Sequence, residues 1–389
     1  MKIYKAYKFR LYPSVEQKVM LNQFLGTSRF IYNYYLDYRN KYYKENNKYI
    51  PLSELKKDLV NLQIEYPWLK EMDSCILRTT LDDLENSFKK YFNNTGGIPR
   101  FKSKNNHETY RTICNRSTYK GNNYESIKLD MKNKILTLPK RKEIKIRGYR
   151  NIKYFNGKIL SATIKKVSNK YYVSLCCEEE IITQKFVLRN AIGIDIGIKN
   201  IVVTSDGEKY DNLIKKQERY EQRLKGLQKA LSRSQKGSNN RKKLIIKIQR
   251  LYEKIKNIRK YEIHKITKRI VNENDIIAVE SLNTKTMIEK GSRSLSRNIS
   301  HSSFNEIIRQ LTYKSNWNNK ILIKIDKYYS SSQICSHCNH KNKKVKDLNV
   351  RKYECDNCSY VNDRDINSSI NILDKGIEIF LKEREEQLI

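Results

Sequence analysis

The chain has 389 residues, enough for two or three domains, and 38% of them are hydrophobic, so it can build cores. Lysine and arginine number 79 against 42 aspartates and glutamates, which gives a formal net charge of +37. Such a charge destabilises a compact state unless a polyanion neutralises it, so a nucleic-acid partner is favoured. An AT-rich genome would explain part of the lysine count, but not the shortage of acids.

Targeting segments and cysteines indicate the cellular compartment of the protein. Residues 1–12 alternate basic and apolar side chains without the apolar core of a signal peptide, and no run approaches the ~18 apolar residues of a membrane span. Four of the eight cysteines form a pair of CxxC motifs and the other four are scattered, unlike a secreted disulfide framework. We therefore expect a protein of the reducing cytoplasm.

The first half of the chain alternates between strand and helix patterns. Residues 1–12 predict a strand, and Ser14 with Gln17 three positions later predicts a capping box at the start of a helical block over 13–97. Glycines and a proline in "TGGIPR" end that block. Alternating apolar residues over 98–187 then predict the short strands of a small β-rich domain, either a barrel or a sandwich.

A new unit begins with "NAIGIDIGIKNIVVTSDGEKY", which predicts two apolar strands with a turn at Asp206-Gly207. Two long basic amphipathic stretches, about 212–233 and 241–272, predict a helical hairpin. "DIIAVESL" and "NKILIKIDKYY" predict further strands. The last helix, starting at "DINSS", has its apolar positions at Ile366, Ile370, Leu373 and Ile377.

The CxxC motifs have the spacing of a metal site. Cys335 and Cys338 are followed, after sixteen residues, by Cys355 and Cys358, which matches the C-x2-C-x15–20-C-x2-C zinc pattern. Four thiolates complete a tetrahedral Zn²⁺ site, so this zinc would be structural. The intervening "VKDLNVRKYE" predicts the hairpin strands of a zinc ribbon. The neighbouring histidines, 337 and 340, are better explained as exposed loop residues than as ligands.

Carboxylates occur at three places where burial would be costly. Asp195 lies within an apolar strand, Glu280 ends another, and Asp363 and Asp365 begin the last helix. A turn aspartate, a solvated strand end and a helix N-cap are the alternatives. Three converging acids are what two Mg²⁺ ions about 4 Å apart need for phosphodiester hydrolysis. This pattern predicts a ribonuclease-H-like nuclease.

A rival interpretation comes from the loop around Asp195. "GIDIGIKN" is also similar to the phosphate loop of actin-like ATPases and sugar kinases, which share the core fold. Those proteins have Thr or Ser after the second glycine, whereas Ile198, Lys199 and Asn200 follow here. The zinc pattern and the net charge also fit a kinase poorly.

Segments along nearly the whole chain resemble the TnpB family, transposon-encoded RNA-guided DNA nucleases related to the type V CRISPR effectors. The resemblance rests on "YKFRLYPSVEQ", "FLGTSRFIYNYYL", "IPRFKSK", "IGIDIGIKNIVVTSDG", "IAVESLN" and "SSQICSHC…YECDNCSYVNDRDINSSINIL". The last segment is the most specific. The sequence departs from the family pattern at Asn339 and Ser359, where glycine is usual, and at "NSS", where "NAA" is common.

The resemblance implies a fold of α/β, α and β modules. A wedge domain would comprise strand 1–12 and a β-barrel-like part at 98–187, interrupted by a helical recognition domain at 13–97. A ribonuclease-H-like (RuvC-like) nuclease would span 188–329, with the hairpin 212–272, and 361–389. A zinc ribbon at 330–360 would be inserted. Asp195, Glu280 and Asp365 would hold two Mg²⁺ ions, with Asp363 as second choice for the third ligand.

The resemblance also implies partners. A guide RNA from the transposon end would direct the protein, one copy per RNA, to double-stranded DNA beside a short transposon-associated motif, and a double-strand break would follow. The protein would be cytoplasmic, prokaryotic and associated with the nucleoid when bound to DNA. The alternatives are a nuclease-inactive guided repressor and a conventional DNA transposase.

Overall fold

The computed structural model describes residues 2–104, 108–119, 122–140, 142–148, 157–180, 188–342, 345 and 350–386. The chain forms two compact units, Met1–Ile181 and Ile182–Ile389. No helix in the described part of the chain combines the length and the apolar character needed to cross a membrane.

The first unit contains nine strands and three α-helices among its described residues. The strands are β1 (Lys2–Tyr12), β2 (Thr109–Ile113), β3 (Arg116–Tyr119), β4 (Asn122–Glu125), β5 (Lys128–Asp130), β6 (Ile135–Leu138), β7 (Lys142–Gly148), β8 (Lys158–Val167) and β9 (Lys170–Glu180). The helices are α1 (Val15–Asn46), α2 (Leu52–Glu65) and α3 (Ser74–Phe92), with a 3-10 turn at Pro67–Glu71.

Seven of these strands form one antiparallel sheet in the order β2-β8-β9-β1-β7-β6-β5. The N-terminal strand β1 lies inside this sheet, between β9 and β7, although the helical block separates them in sequence. Within the described residues β2 and β5 are the edges, so the hydrogen-bonded ladder is not closed. Helices α1 and α3 cover the apolar face of this sheet. They contribute Leu21, Phe24, Leu25 and Ile76 to its core.

The start of α1 has the predicted capping box. The backbone N–H of Gln17 donates to the Ser14 hydroxyl at 3.2 Å, and the Gln17 side chain accepts from the Ser14 N–H at 2.9 Å. This satisfies two amides that a helix start leaves without partners.

The described part of the second unit contains seven strands and six helices. The strands are β10 (Ala191–Asp195), β11 (Asn200–Thr204), β12 (Lys209–Asp211), β13 (Ile276–Glu280), β14 (Ile321–Ile325), β15 (Lys352–Glu354) and β16 (Val361–Asp363). The helices are α4 (Ile214–Arg233), α5 (Asn239–Glu273), α6 (Thr284–Lys290), α7 (Arg293–Ser302), α8 (Phe304–Trp317) and α9 (Arg364–Glu386).

Five strands form the main sheet of this unit in the order β12-β11-β10-β13-β14. Strands β10, β13 and β14 are parallel, and β11 and β12 run antiparallel beside them. The first strand in sequence therefore lies at the centre, as a ribonuclease-H-like domain requires. The turn between β11 and β12 has Gly207 at φ +89°, the left-handed region that favours glycine.

The two faces of this sheet are covered by different helices. On one face, Ile192, Ile194, Ile277 and Val279 share a core with α5 and α8. On the other face, Ala278 and its neighbours pack against α9. Because side chains alternate along a strand, Asp195 and Glu280 belong to the α9 face.

Helices α4 and α5 form the predicted hairpin. Leu224, Ile248, Leu251 and Ile255 are buried between them, and Tyr220, Leu227 and Leu231 pack against that cluster. Basic side chains are left on the outside, which explains the high charge of both helices.

Candidate active site and cysteine cluster

Two of the predicted acids lie at one edge of the central sheet. Ile194 is paired with Val279 in the parallel ladder, so the next residues, Asp195 and Glu280, stand at the carboxyl ends of neighbouring strands. Both side chains belong to the face that α9 covers. Strand register alone therefore brings these two carboxylates together.

Asp365 reaches the same edge from α9, where it is the second residue of the helix. Its charge and that of Glu280 both act on Asp195, whose pKa they raise. Burial is the largest cause of that shift, and the pKa of Asp195 lies at about 7. Burial likewise raises the pKa of Glu280 to about 7. The structure thus brings the three predicted acids close enough for their charges to interact, and the Arg351 guanidinium lies 3.9 Å from the Asp365 carboxylate.

Asp363 has a different role, because it caps α9. Its carboxylate accepts the backbone N–H groups of Asp365 at 3.0 Å and Ile366 at 3.3 Å, and it pairs with the Lys209 ammonium at 2.6 Å. Burial works against ionisation, but the Lys209 ammonium and the backbone N–H groups hold the pKa of Asp363 below its usual range. These contacts occupy the carboxylate oxygens of Asp363, which favours Asp365 as the third acid of the site.

Two glycines allow α9 to lie directly on the sheet. A Cβ on Gly193 would lie 2.0 Å from the carbonyl oxygen of Ser369 and 2.6 Å from the amide nitrogen of Leu373. Gly376 approaches Ala278 so closely that a Cβ would lie 2.4 Å from the alanine methyl group. Any larger residue at either glycine would separate the helix from the sheet, and with it Asp365 from Asp195.

The apolar positions of α9 named from the sequence are not its most buried ones. Ile366, Ile370, Leu373 and Ile377 are only partly buried. Small and polar residues fill the buried face of the first turns, namely Asn367, Ser368, Ser369 and Asn371. Close helix–sheet packing excludes large side chains there, and Asn367, Ser368 and Asn371 hydrogen-bond residues on either side of Cys335.

The four cysteines of the CxxC motifs form a compact cluster. Their sulfur atoms all lie within 4.8 Å of one another, with Cys335 and Cys358 3.7 Å apart and Cys338 and Cys355 3.6 Å apart. Zn–S bonds of ~2.3 Å in a tetrahedron place sulfurs ~3.8 Å apart, so the donor set fits zinc. In the part of the chain that the structure describes, no other group of three or more potential ligands is packed this closely.

The strands around the cluster pair differently from the prediction. Strand β15 pairs with β16, which lies beyond the second CxxC motif, rather than within "VKDLNVRKYE". Residues 346–349 of that stretch lie outside the described residues. The His337 ring stacks on Tyr360, with centroids 5.6 Å apart, in agreement with a loop histidine that is not a ligand.

A basic groove runs between α4, α5 and α8, with a volume of about 1000 Å³. Its positive lining residues are Lys225, Lys256, Arg259, Lys260 and Arg309. Tyr252, which is half exposed, contributes an aromatic ring to the same groove. Cationic side chains beside an aromatic surface are the usual components of a nucleic-acid groove.

Family models match three parts of the chain. Residues 174–291 match the OrfB_IS605 family, described as "Probable transposase", and residues 304–372 match the Cas12f1-like TNB domain. Residues 1–48 match the helix-turn-helix domain of OrfB_IS605. The structure describes 2–48 and shows β1 followed by the single helix α1 there, so those residues contain no second helix.

Relatives that match over nearly the whole length of this chain show which family it belongs to. A protein of Escherichia coli (strain K12) named "Putative RNA-guided DNA endonuclease InsQ" is 30% identical over 97% of this chain and 93% of its own length. The chain belongs to the TnpB family. Another TnpB-family relative, "Putative RNA-guided DNA endonuclease" of Streptomyces pristinaespiralis, is 32% identical over 96% of this chain and 89% of its own.

The TnpB-family fold is also similar to a solved structure. A chain of the "Cryo-EM structure of the Cas12f1-sgRNA-target DNA complex" matches with a TM-score of 0.60 and 15% identity, covering 95% of this chain and 98% of that chain. At this identity the likeness establishes the general architecture. The full-length relatives confirm the predicted family, and the fold is also found in this solved structure.

Sequence reasoning missed the residues that hold α9 in place. Gly193 could have been noticed, because a glycine inside a strand often marks a close backbone approach. The buried polar run Asn367, Ser368, Ser369 and Asn371 gave a weaker signal, since only the fold shows which partners it meets.

Proposed function

We propose that this chain is an RNA-guided, Mg²⁺-dependent DNA endonuclease that makes double-strand breaks beside a short transposon-associated motif. The observation that carries the proposal is the convergence of Asp195, Glu280 and Asp365 at one sheet edge. The names of the two full-length relatives support the same activity. The products would carry 5′-phosphate and 3′-hydroxyl ends.

The acids fit divalent metal ions. Their charges repel one another, and burial favours the neutral form, so a cation would relieve both effects. Asp195 is the acid on which both other charges act, and we assign it to both Mg²⁺ ions, with Glu280 and Asp365 each holding one. Bound Mg²⁺ would stabilise charge on the scissile phosphate and activate water.

The chain's own residues supply position and rigidity. Strands β10 and β13 fix the backbone under Asp195 and Glu280, and the capped start of α9 fixes Asp365. Asp363 is a capping residue in this proposal. One of its carboxylate oxygens accepts two backbone N–H groups, and the other pairs with the Lys209 ammonium.

The partners follow from charge and from the basic groove. A guide RNA from the transposon end and a DNA duplex would neutralise a chain of net charge +37. We assign the groove of α4, α5 and α8 to the sugar–phosphate backbone of the guide–target heteroduplex. The four cysteines would hold structural Zn²⁺. We propose one protein per RNA in the prokaryotic cytoplasm, associated with the nucleoid when bound to DNA.

The decisive experiment is sequencing of RNA that copurifies with the protein. A discrete species ending in transposon-flanking sequence supports the proposal, and its absence contradicts it. Plasmids carrying the matching target are then incubated with the particle and Mg²⁺. Asp195→Asn should abolish cleavage, whereas Asp374→Asn, an exposed acid on the same helix, should leave it intact.

The same assays separate the rival functions. A nuclease-inactive guided repressor would bind the target and leave it uncut in Mg²⁺. A conventional transposase would join defined DNA ends after RNase treatment of the particle. Either result would replace the proposed activity.

A further inference from the structure

The loop after β14 leaves the sheet at the edge that carries Asp195 and Glu280. Strands β10, β13 and β14 are parallel, so their carboxyl ends lie at one edge. Ile325, the last residue of β14, is paired with Glu280, and its carbonyl accepts the Ser281 N–H at 3.2 Å. Tyr328 lies three residues farther along the chain. Strand spacing and chain length therefore keep its backbone within about 15 Å of the Glu280 backbone.

Local hydrogen bonds fix the conformation of this loop. The Asp326 carboxylate accepts the Tyr328 N–H at 2.6 Å, and the Asp326 carbonyl accepts the Tyr329 N–H at 3.2 Å. The Tyr329 carbonyl in turn accepts the N–H of the buried Ser331 at 2.9 Å. The backbone that carries Tyr328 therefore has few conformations available to it.

The two adjacent tyrosines of the loop have opposite environments. Tyr329 packs against Ala278 and Ile325 of the sheet and against Ile372 of α9. Tyr328 is 80% exposed. The Tyr329 ring thus anchors the loop to the core of this unit, and the Tyr328 ring extends into solvent at the edge where the acids lie.

A cation accompanies the exposed ring. The Lys327 ammonium lies 4.7 Å from the centroid of the Tyr328 ring, a distance at which a cation is attracted to the ring face. A single exposed aromatic side chain is normal on a protein surface and needs no explanation by itself. Here the ring lies at the edge that carries the acids, and it presents a flat aromatic surface together with a positive charge. That combination fits a nucleotide, which offers a flat base and an anionic phosphate.

The acidic site, formed by Asp195, Glu280 and Asp365, does not attract a DNA strand through its own charges. Carboxylates repel phosphates, so contacts outside the acids must hold the strand in place. A base that stacks on an aromatic side chain strengthens nucleic-acid binding about tenfold or more. Pairing of one DNA strand with a guide RNA displaces the other strand, whose unpaired bases are then free to stack.

We propose that Tyr328 positions the substrate by stacking on an unpaired base of the DNA strand in the acidic site, and that Lys327 binds a phosphate of the same strand. The stacked base would lie a few nucleotides from the scissile phosphate. Every base has a face that can stack, so the contact holds the strand without selecting its sequence. This rests on the proposed function, because it takes the acids to be the site of phosphodiester cleavage.

An abasic nucleotide locates the stacked base. The cut positions are first mapped by sequencing the ends of guided plasmid cleaved by the full chain with its copurified RNA. Single abasic nucleotides are then placed, one at a time, on either side of the cut in the strand that the guide leaves unpaired. We expect the cleavage rate of the wild type to fall about tenfold when the abasic nucleotide occupies one position within a few nucleotides of the cut.

Tyr328→Ala should lose the same contact from the protein side. We expect it to cut the intact target about tenfold more slowly than wild type and to show no further loss at the sensitive abasic position. A merely structural role of Tyr328 would not produce this dependence on position. Tyr328→Phe keeps the ring, so its rate and its abasic sensitivity should stay within about twofold of wild type.

Tyr261→Ala is the matched control. Tyr261 is 68% exposed on α5 and does not line the basic groove, so its loss should leave the rate unchanged. A Tyr328→Ala rate equal to that of Tyr261→Ala overturns the proposal. So does a full additional loss when Tyr328→Ala meets the abasic position.

A lysine pair tests the phosphate contact. Lys327→Ala should slow cleavage severalfold and keep the abasic sensitivity, because the Tyr328 ring remains. Lys324 is exposed on β14, and strand alternation places it on the sheet face opposite to Ile325. Lys324→Ala should therefore cut at the wild-type rate. Equal rates in the two lysine variants would contradict the phosphate contact.

A photocrosslink tests the stacking without cleavage. Single-stranded DNA with 5-iodouracil in place of thymine is irradiated with the Asp195→Asn chain, and crosslinked peptides are identified by mass spectrometry. A crosslink at Tyr328, combined with a wild-type chain that cuts no guided target, contradicts the proposed function and leaves the stacking intact. Guided cleavage by the wild type, without a crosslink at Tyr328 and without a sensitive abasic position, contradicts the stacking alone.

Discussion

Gly193 in β10 and Ser369 in α9 meet backbone to backbone, so that a Cβ on Gly193 would lie 2.0 Å from the Ser369 carbonyl oxygen. This contact places α9 directly on the strand that ends at Asp195. The distance between Asp195 and Asp365 therefore depends on Gly193, which has no side chain.

Gly193→Ala should impair both stability and cleavage. The new methyl group meets backbone atoms of Ser369 and Leu373, which cannot rotate away, so α9 must move off the sheet. We expect a loss of about 1–3 kcal/mol in the free energy of unfolding and a large loss of guided cleavage. Denaturant unfolding and plasmid cleavage measure the two effects.

Gly226→Ala is the matched control for that substitution. Gly226 lies inside α4, and a Cβ there would have no heavy atom within 4 Å. Alanine should stabilise this helix by about 1 kcal/mol. If Gly193→Ala cleaved DNA as fast as Gly226→Ala, the close contact would be unnecessary for the site.

Substitutions that keep the local hydrogen bonds should distinguish the role of Asp363 from that of Asp365. Serine is a good helix N-cap, so Asp363→Ser should keep α9 capped and retain cleavage within about tenfold of wild type. Asp365→Asn should abolish cleavage and preserve guided DNA binding. Cleavage by Asp365→Asn together with inactivity of Asp363→Ser would reverse the assignment of the third acid.

Ser359→Gly should stabilise the cysteine cluster. Ser359 follows Cys358 at φ 56°, and Asn339 follows Cys338 at φ 60°, both in the left-handed region that costs most residues ~1–2 kcal/mol. Glycine removes that cost, so zinc should be lost to a chelator more slowly. Asn339→Gly should give a smaller gain, because asparagine tolerates this conformation better than serine. Faster zinc loss in Ser359→Gly would contradict this account.

The metal-free protein should lose stability as the pH rises from about 4 to about 7. The folded-state pKa values of Asp195 and Glu280 lie at about 7, above their usual values of 3.8 and 4.5. The folded state therefore binds protons more tightly than the unfolded state, and this stabilisation is lost as the pH rises through 7. Thermal unfolding in EDTA across this range measures the trend.

Glu280→Gln should remove part of that dependence. At pH 8 without divalent metal, the variant should exceed the wild type by on the order of 2 kcal/mol, and at pH 4 the two should agree. Glu354→Gln, which changes an exposed acid in the same unit, should follow the wild type at both pH values. Added Mg²⁺ should make the wild type more stable than Glu280→Gln, because only the wild type retains all three acids as metal ligands.

Several features could be predicted from local sequence because their cause is local. The Ser14 cap, the Asp206-Gly207 turn and the hairpin of α4 and α5 depend on residues a few positions apart, and all three are present. The open seven-stranded sheet could not be foreseen, because helices from another part of the sequence cover its apolar face.

The sequence by itself determined the chemistry available to this protein: the acids, the four cysteines at zinc spacing, the excess of positive charge and the family. Only the tertiary structure decided which residues hold that chemistry in place. It made Asp363 a cap and buried Asn367, Ser368, Ser369 and Asn371 of α9. The physical reason is that a buried polar group depends on its partners, and here those partners lie many residues away.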